Sequence, residues 1–433
     1  MNARPPIAVI PYRWVVFALL GAGYLLVYFH RLSPAVVALE MMDELKADAG
    51  LMGLLASAYF YPYALMQIPS GLLSDSWGPR KTITSFFLLA GIGSIAFGAA
   101  PSVGWAIAAR IGVGVGVAML FVPTMKVLTS WFKVTEFTFA AGLLMAVGGL
   151  GVLSAASPFA YLSTVLGWRE SFMIIGVVTL VLAAAIWILV RDTPQEMGLP
   201  AIRTNGDGAE EGGPAIGLWQ GVRMVIGSAR FWPLFAWFFF TFGIFFSFSG
   251  LWGGPFLMHV YGLDKLQAGG ILSMPAVALI FGCPVIAYIS DRVLRSRKKV
   301  MVISAVAVVI LSLPLAFFPA RFNLAQLYAW GLLFGFFGSA IVIIGFTTAK
   351  EMFPVRIAGT AVGLINIAPF LGGAIMQPVV GIMLEAHGRG AAGYSAQAYG
   401  SGFTVYFVSA AIALIAALFI KETMPIAPDK ALP

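Results

Sequence analysis

Twelve runs of apolar sequence, each of 19 or more residues, decide what this chain can fold into. They fall near 14–39, 51–73, 82–100, 104–132, 138–165, 169–190, 230–258, 266–290, 299–319, 324–352, 356–385 and 400–421. About 20 apolar residues carry a helix across a bilayer. A barrel strand is half as long and alternates in character, which these uniform runs do not. The expected fold is therefore an all-α membrane protein of 12 transmembrane helices. With 60% hydrophobic and only 10% charged residues, a soluble multi-domain protein is excluded.

A net charge of +8 raises the question of nucleic acid, and the distribution answers it. Of the 26 Lys and Arg, five (Lys46, Arg169, Lys265, Arg321, Arg389) fall in segments on one side of the expected membrane, and three (Arg31, Arg110, Lys126) fall inside spans. The other 18 fall on the side of the termini. That bias places both termini in the cytoplasm and makes the lipid bilayer, with no nucleic acid, the partner of the chain. Cys283 is the one cysteine, so no intramolecular disulfide forms. No small-residue cleavage site follows the first apolar run, which is expected to stay as a helix. None of Asn2, Asn205, Asn323 and Asn366 begins a glycosylation sequon, which favours a bacterial cytoplasmic membrane.

Residues 191–217 are rich in Gly, Pro and acids and break the apolar periodicity. The expected division is a six-helix bundle over 1–190, a cytoplasmic linker over 191–229 and a second bundle over 230–433. The halves resemble each other. Ser74–Lys81 (SDSWGPRK) pairs with Ser290–Lys299 (SDRVLRSRKK), matching Asp75 to Asp291, and 131–151 aligns with 352–372. Two pseudo-symmetric bundles predict a solute site between them near the membrane midplane.

Within the first run Arg31 is the one charged residue between Trp14 and Leu39, and Tyr28 and Tyr24 lie at i−3 and i−7 on its face. A charge at that depth costs several kcal/mol unless it faces protein or water. The expectation is a fixed cation in a watery cavity, receiving an anionic solute. Tyr59, Tyr63 and Gln67 form a polar stripe on the second span, and Asn366 and Gln377 are the isolated polar groups of the eleventh. Trp252, beside Gly253-Gly254-Pro255, is the cavity-lining candidate of the aromatic seventh span. His30, about 100° round the helix from Arg31, is a candidate proton-coupling group. Arg110, heading a glycine-rich fourth span, suits bonding to first-span carbonyls. Lys126 lies near the cytoplasmic end, where gating or snorkelling is expected. No Asp or Glu falls mid-span, and there is no P-loop, paired catalytic carboxylate or His/Cys cluster, so neither enzyme nor metal or cofactor chemistry is expected.

The loop Gly71-x-x-x-Asp75-x-x-Gly78-x-Arg80, Arg110 at the head of its glycine-rich helix, and the repeated halves together resemble the major facilitator superfamily over nearly the whole chain. The stretch from Tyr28 to Lys81 is similar to the anion:cation symporters and the organophosphate antiporters. That resemblance implies a substrate-binding role for Arg31, with Tyr24, Tyr28 and Tyr63 at positions that carry tyrosines in the antiporters. Lys126 matches a basic residue of the symporters. The chain departs at Phe246, Gln67 and Met145, where the antiporters place an arginine, a lysine and a histidine. It departs again at His30 and Ala118, where many symporters place acids.

The expected function is secondary active transport of a small organic anion by alternating access, in a chain that works as a monomer. A carboxylate, an amino-acid conjugate or a small peptide fits. Arg31 would be the charge, Tyr24, Tyr28, Tyr63 and Gln67 its companions, and Trp252, Asn366 and Gln377 the facing wall. Gly71, Asp75, Gly78, Arg80, Arg110, Lys126 and Asp291 would be gating or structural. The alternatives are an exporter of amphipathic compounds in which Arg31 is structural, and a transport-inactive membrane sensor or partner-binding subunit.

Overall fold

The computed structural model describes residues 9–200, 218–391 and 393–424. Arg4, Arg203, Lys430 and residues 201–217 of the expected linker lie outside the described residues, as does the side chain of Arg356. Among the described residues, eleven helices are long and apolar enough to span a membrane, and a bent pair makes the twelfth. In chain order they are α1 (Pro11–Leu32), α2 (Ala49–Leu65 with Gln67–Ser76), α3 (Pro79–Gly98), α4 (Val103–Trp131), α5 (Phe139–Leu166) and α6 (Trp168–Leu189). Then come α7 (Phe231–Tyr261), α8 (Lys265–Val293), α9 (Arg297–Phe317), α10 (Leu324–Met352), α11 (Ile357–Glu385) and α12 (Ala396–Phe419).

Three local departures matter. The first apolar run does not end at residue 39: Ser33 keeps helical dihedrals and Pro34 opens a continuation, Pro34–Glu44, because a proline is tolerated in a first turn. Second, α2 bends by 47° at Met66. Pro69 cannot donate to the Leu65 carbonyl, which removes one rung of the helix at the bend. Third, the expected linker contains a helix, Leu218–Ile226. Val225 is buried there and Gly221 approaches Thr360 and Ile357 of α11, so the apolar spacing of 221–226 outweighs the loop character before it.

Packing sorts by half. α1 lies on α5 and α3 lies on α4 and α6; α7 lies on α11 and α12, and α9 lies on α12. The halves meet through α2 on α11, α5 on α8, and Pro34–Glu44 on α7. Glycines make those crossings possible. A Cβ on Gly53 would sit 2.5 Å from Pro378 Cα, one on Gly254 would overlap the Ala35 carbonyl, and one on Gly381 that of Ala49.

These crossings gather on the face away from the chain ends, and so do the ion pairs between halves. Glu40 pairs with Lys265, and Asp43 with Arg389 at 2.7 Å. Glu385 accepts from the Ala49 N–H at 3.3 Å and from the Tyr394 hydroxyl at 2.6 Å. On the terminal face the ion pairs stay within one half: Arg13–Glu136 at 2.8 Å, Lys126–Asp75 at 2.6 Å, and Arg297 with Asp291 and Glu351. A Cβ on Gly71, Gly142, Gly359 or Gly363, all near that face, would meet nothing within 4 Å. The halves are therefore latched on one face and apart on the other.

Candidate functional site

Arg31 lies where the halves meet, one turn before Pro34. Its guanidinium carbon lies 4.5 Å from the ring centroid of Tyr28, 4.9 Å from Tyr63, 4.8 Å from Phe370 and 5.5 Å from Phe246. Two of these rings belong to the first half and two to the second. The side chain is 3% exposed, its Nε has no hydrogen-bond partner, and among the described residues no carboxylate pairs with it. The expected watery cavity is thus absent in this state: the aromatic rings have closed over the charge. Each cation–π contact contributes about 0.5–2 kcal/mol. None neutralises the charge, so the cation remains without a counter-ion in an apolar layer.

The layer is built by close helix approach. Cβ atoms on Gly148 and Gly151 of α5 would strike the Tyr28 ring and the Leu25 carbonyl, so these glycines let α1 seat against α5. Gly373 does the same for Phe246, whose Cβ would lie 3.0 Å from a methyl group at that glycine. Phe246 and Phe370 lie nearly parallel, 15° apart with centroids at 5.8 Å, and Phe370 is 4.2 Å from Tyr63.

The other expected ligand groups are distributed unevenly. Tyr24 does not touch Arg31; its ring packs on Tyr28 and Phe121, and its hydroxyl points to the Met145 sulfur at 3.7 Å. Gln67 and Asn366 bond each other across the halves, Asn366 Nδ2 donating to Gln67 Oε1 at 2.9 Å. They lie one turn from Tyr63 and Phe370 toward the terminal face, so they close the Arg31 layer on that side. Trp252 is not a cavity wall: it is fully buried and donates to the Gln377 carbonyl at 2.9 Å. Gln377 is also taken up, its Nε2 donating to the Phe246 carbonyl at 3.0 Å, with only Oε1 unpartnered. Both belong to the seal on the far face, where a void of about 10 Å³ beside Leu32, Ala35 and Ser249 is the size of one water.

His30 points into the first half, 3.5 Å from the Thr179 hydroxyl on α6, away from Arg31 and the facing half. The proton-coupling candidate therefore lies apart from the Arg31 layer. Arg110 donates to the His30 carbonyl at 2.5 Å and stacks on Tyr59 at 5.0 Å, tying α4 to α1. In the loop motif, Asp75 holds Lys126 rather than Arg80, which lies over Trp187 at 4.3 Å. Gly78 has φ +93°, and the Asp192 carboxylate beside it accepts from the Arg80 N–H at 2.6 Å, capping α3. Gly71 makes no close helix contact in this state. Phe370 has no role in the sequence-based expectation and Phe246 stands there only as a departure, because a phenylalanine among apolar residues carries no local signal.

Comparison with known proteins bears on the family and the fold. Residues 15–376 match the family described as Major Facilitator Superfamily. The chain is 23% identical to a probable sulfoacetate transporter of Cupriavidus necator, covering 96% of each. It is 24% identical to a D-galactonate transporter of Escherichia coli, covering 94% of each, and 23% identical to a hexuronate transporter of Escherichia coli K12, covering 87% and 88%. Among solved structures, a bacterial homologue of the human lysosomal transporter Spinster, inward-facing and unoccupied, superposes with a TM-score of 0.78 at 19% identity. It covers 95% of this chain and 96% of that one.

Proposed function

Because this chain belongs to the Major Facilitator Superfamily, we propose that it carries a small organic anion by alternating access, with Arg31 as the charge that receives it. It is an integral membrane solute transporter. The observation that carries the anion reading is the Arg31 guanidinium: buried between the halves, bounded by four rings, and without a carboxylate partner among the described residues. A bound carboxylate or sulfonate would supply the missing counter-charge through bidentate hydrogen bonds. The names of the relatives, transporters of sulfoacetate, galactonate and hexuronate, support an acid as cargo.

With the terminal face cytoplasmic, as the basic residues argue, the latched face is the outer one and the state is closed outside. The bacterial relatives support a bacterial cytoplasmic membrane. Separation of Gln67 from Asn366, and of Tyr63 from Phe370, opens Arg31 to the inside. Release of the Glu40–Lys265 and Asp43–Arg389 pairs opens it to the outside.

The test is thermal stabilisation of the purified protein by a panel of carboxylates and sulfonates at constant ionic strength. A ligand at one hundred times its Kd adds about 2.7 kcal/mol to the folded state. Wild type responds to at least one acid and Arg31→Gln does not; equal stabilisation of the variant removes Arg31 from the site. The aromatic faces around Arg31 favour one second reading, export of an amphipathic compound with Arg31 structural. Inhibition of flux by simple carboxylates separates the two, since only the anion carrier is inhibited.

A further inference from the structure

The Arg31 layer has two unlike walls. From the first half come phenol hydroxyls: Tyr28 and Tyr63 on the cation, Tyr24 one ring behind. From the second half come only hydrocarbon rings, Phe246 and Phe370, backed by Phe242. The amide donors on that side are engaged by the protein: Asn366 Nδ2 with Gln67, and Gln377 Nε2 with the Phe246 carbonyl.

We infer that Phe246 and Phe370 set the specificity of this transporter: the cargo is a monoanion with an apolar, planar body, and polyhydroxylated acids are rejected. The inference rests on Arg31 as the anion site. A sugar acid brings four or five hydroxyls, each of which loses its water on entry and needs a partner there. The Phe246 and Phe370 rings that face Arg31 offer none. Rejection of a cargo whose hydroxyls stay unpaired is steep, whereas a planar apolar body lies against the face of Phe370 and replaces the contact that ring makes with Tyr63. A second anionic group finds no second cation there, so a monoanion is preferred over a dianion. Both rings come from the half that moves against Arg31, so a well-fitting body also favours the closed arrangement.

The experiment compares three monoanions of equal charge, phenylacetate, hexanoate and gluconate, by thermal shift and by competition for flux in proteoliposomes. The proteins are wild type, Arg31→Gln, Phe370→Asn and Phe370→Leu. Expected for wild type is stabilisation by phenylacetate, less by hexanoate, and none by gluconate at the same concentration. Phe370→Asn weakens phenylacetate on the order of tenfold and gains a response to gluconate. Phe370→Leu keeps the wall apolar and, should the asparagine variant not fold, carries the test alone: it loses the preference for phenylacetate over hexanoate. Gluconate binding to wild type as tightly as phenylacetate, through an Arg31-dependent site, overturns the specificity while leaving the anion site intact. Stabilisation by these acids that persists in Arg31→Gln overturns the anion site itself.

Discussion

Gly53 is the position where one methyl group should move the whole transporter. It faces α11 on the latched side, and a Cβ there would lie 2.5 Å from Pro378 Cα, 2.7 Å from the Gln377 oxygen and 2.9 Å from Pro378 N. All three are backbone atoms, so no rotamer change relieves them. Gly53→Ala is roughly 1 Å short of ordinary contact, and overpacking of that order costs about 1–3 kcal/mol. Alanine also favours helix by about 1 kcal/mol, but equally in every state, so it cancels from the difference between states. Only the outward-closed state bears the clash, because opening the outer side parts α2 from α11. At about 2 kcal/mol the ratio of outward-open to outward-closed molecules rises on the order of thirtyfold. The assay is a spin-label distance between Val165 and Leu324, exposed at the outer ends of α5 and α10, each replaced by cysteine with Cys283→Ser. The long-distance population grows in Gly53→Ala; an unchanged distribution would refute the assignment of this crossing as the outer latch.

Three further outcomes follow from the same geometry. Cysteines at Gln67 and Asn366 in the Cys283→Ser background cross-link on oxidation and stop flux, which returns on reduction; a cross-linked transporter that still runs shows that the pair does not gate. Gly78→Ala forces an alanine to φ +93° with its Cβ 2.7 Å from the Asp192 carboxylate, and thermal unfolding should register a loss of about 1–3 kcal/mol. Burial pushes the Glu422 carboxyl up, but hydrogen bonds from the Ser296 hydroxyl and the N–H groups of Met424, Arg297 and Thr423 outweigh it and hold the group below the ordinary carboxylate range. A depressed carboxylate stabilises above its unfolded pKa and loses that contribution as pH falls through the folded value. Glu422→Gln is therefore less stable than wild type at neutral pH, by no more than about 1 kcal/mol because solvent screens this exposed group, and the gap closes in acid; a gap independent of pH in a melting series counts against the charge.

How much was legible in advance depends on the range of the physics. Apolar run length is a property of a segment and its solvent, so the twelve spans, most of their ends to within three residues, and the resemblance to a superfamily were open to reading from the chain alone. Arg31 stood out for the same reason, since a lone charge in such a run is expensive wherever the helix packs. Its surroundings were legible only in part. Tyr28 follows from helical spacing, and Tyr63 from its polar stripe and the resemblance, but Phe246 and Phe370 reach it from two other helices, and nothing local distinguishes those rings from lipid-facing ones. Trp252 read as a cavity wall beside its glycines and Gln377 as a ligand because an isolated amide needs a partner, yet the partner of each proved to be backbone. Likewise Gln67 and Asn366 satisfied each other, 299 residues apart. The sequence determined that a cation lies in the membrane; only the packing of the two halves decided that rings, rather than water or acid, close around it, because that depends on which helices glycine lets approach.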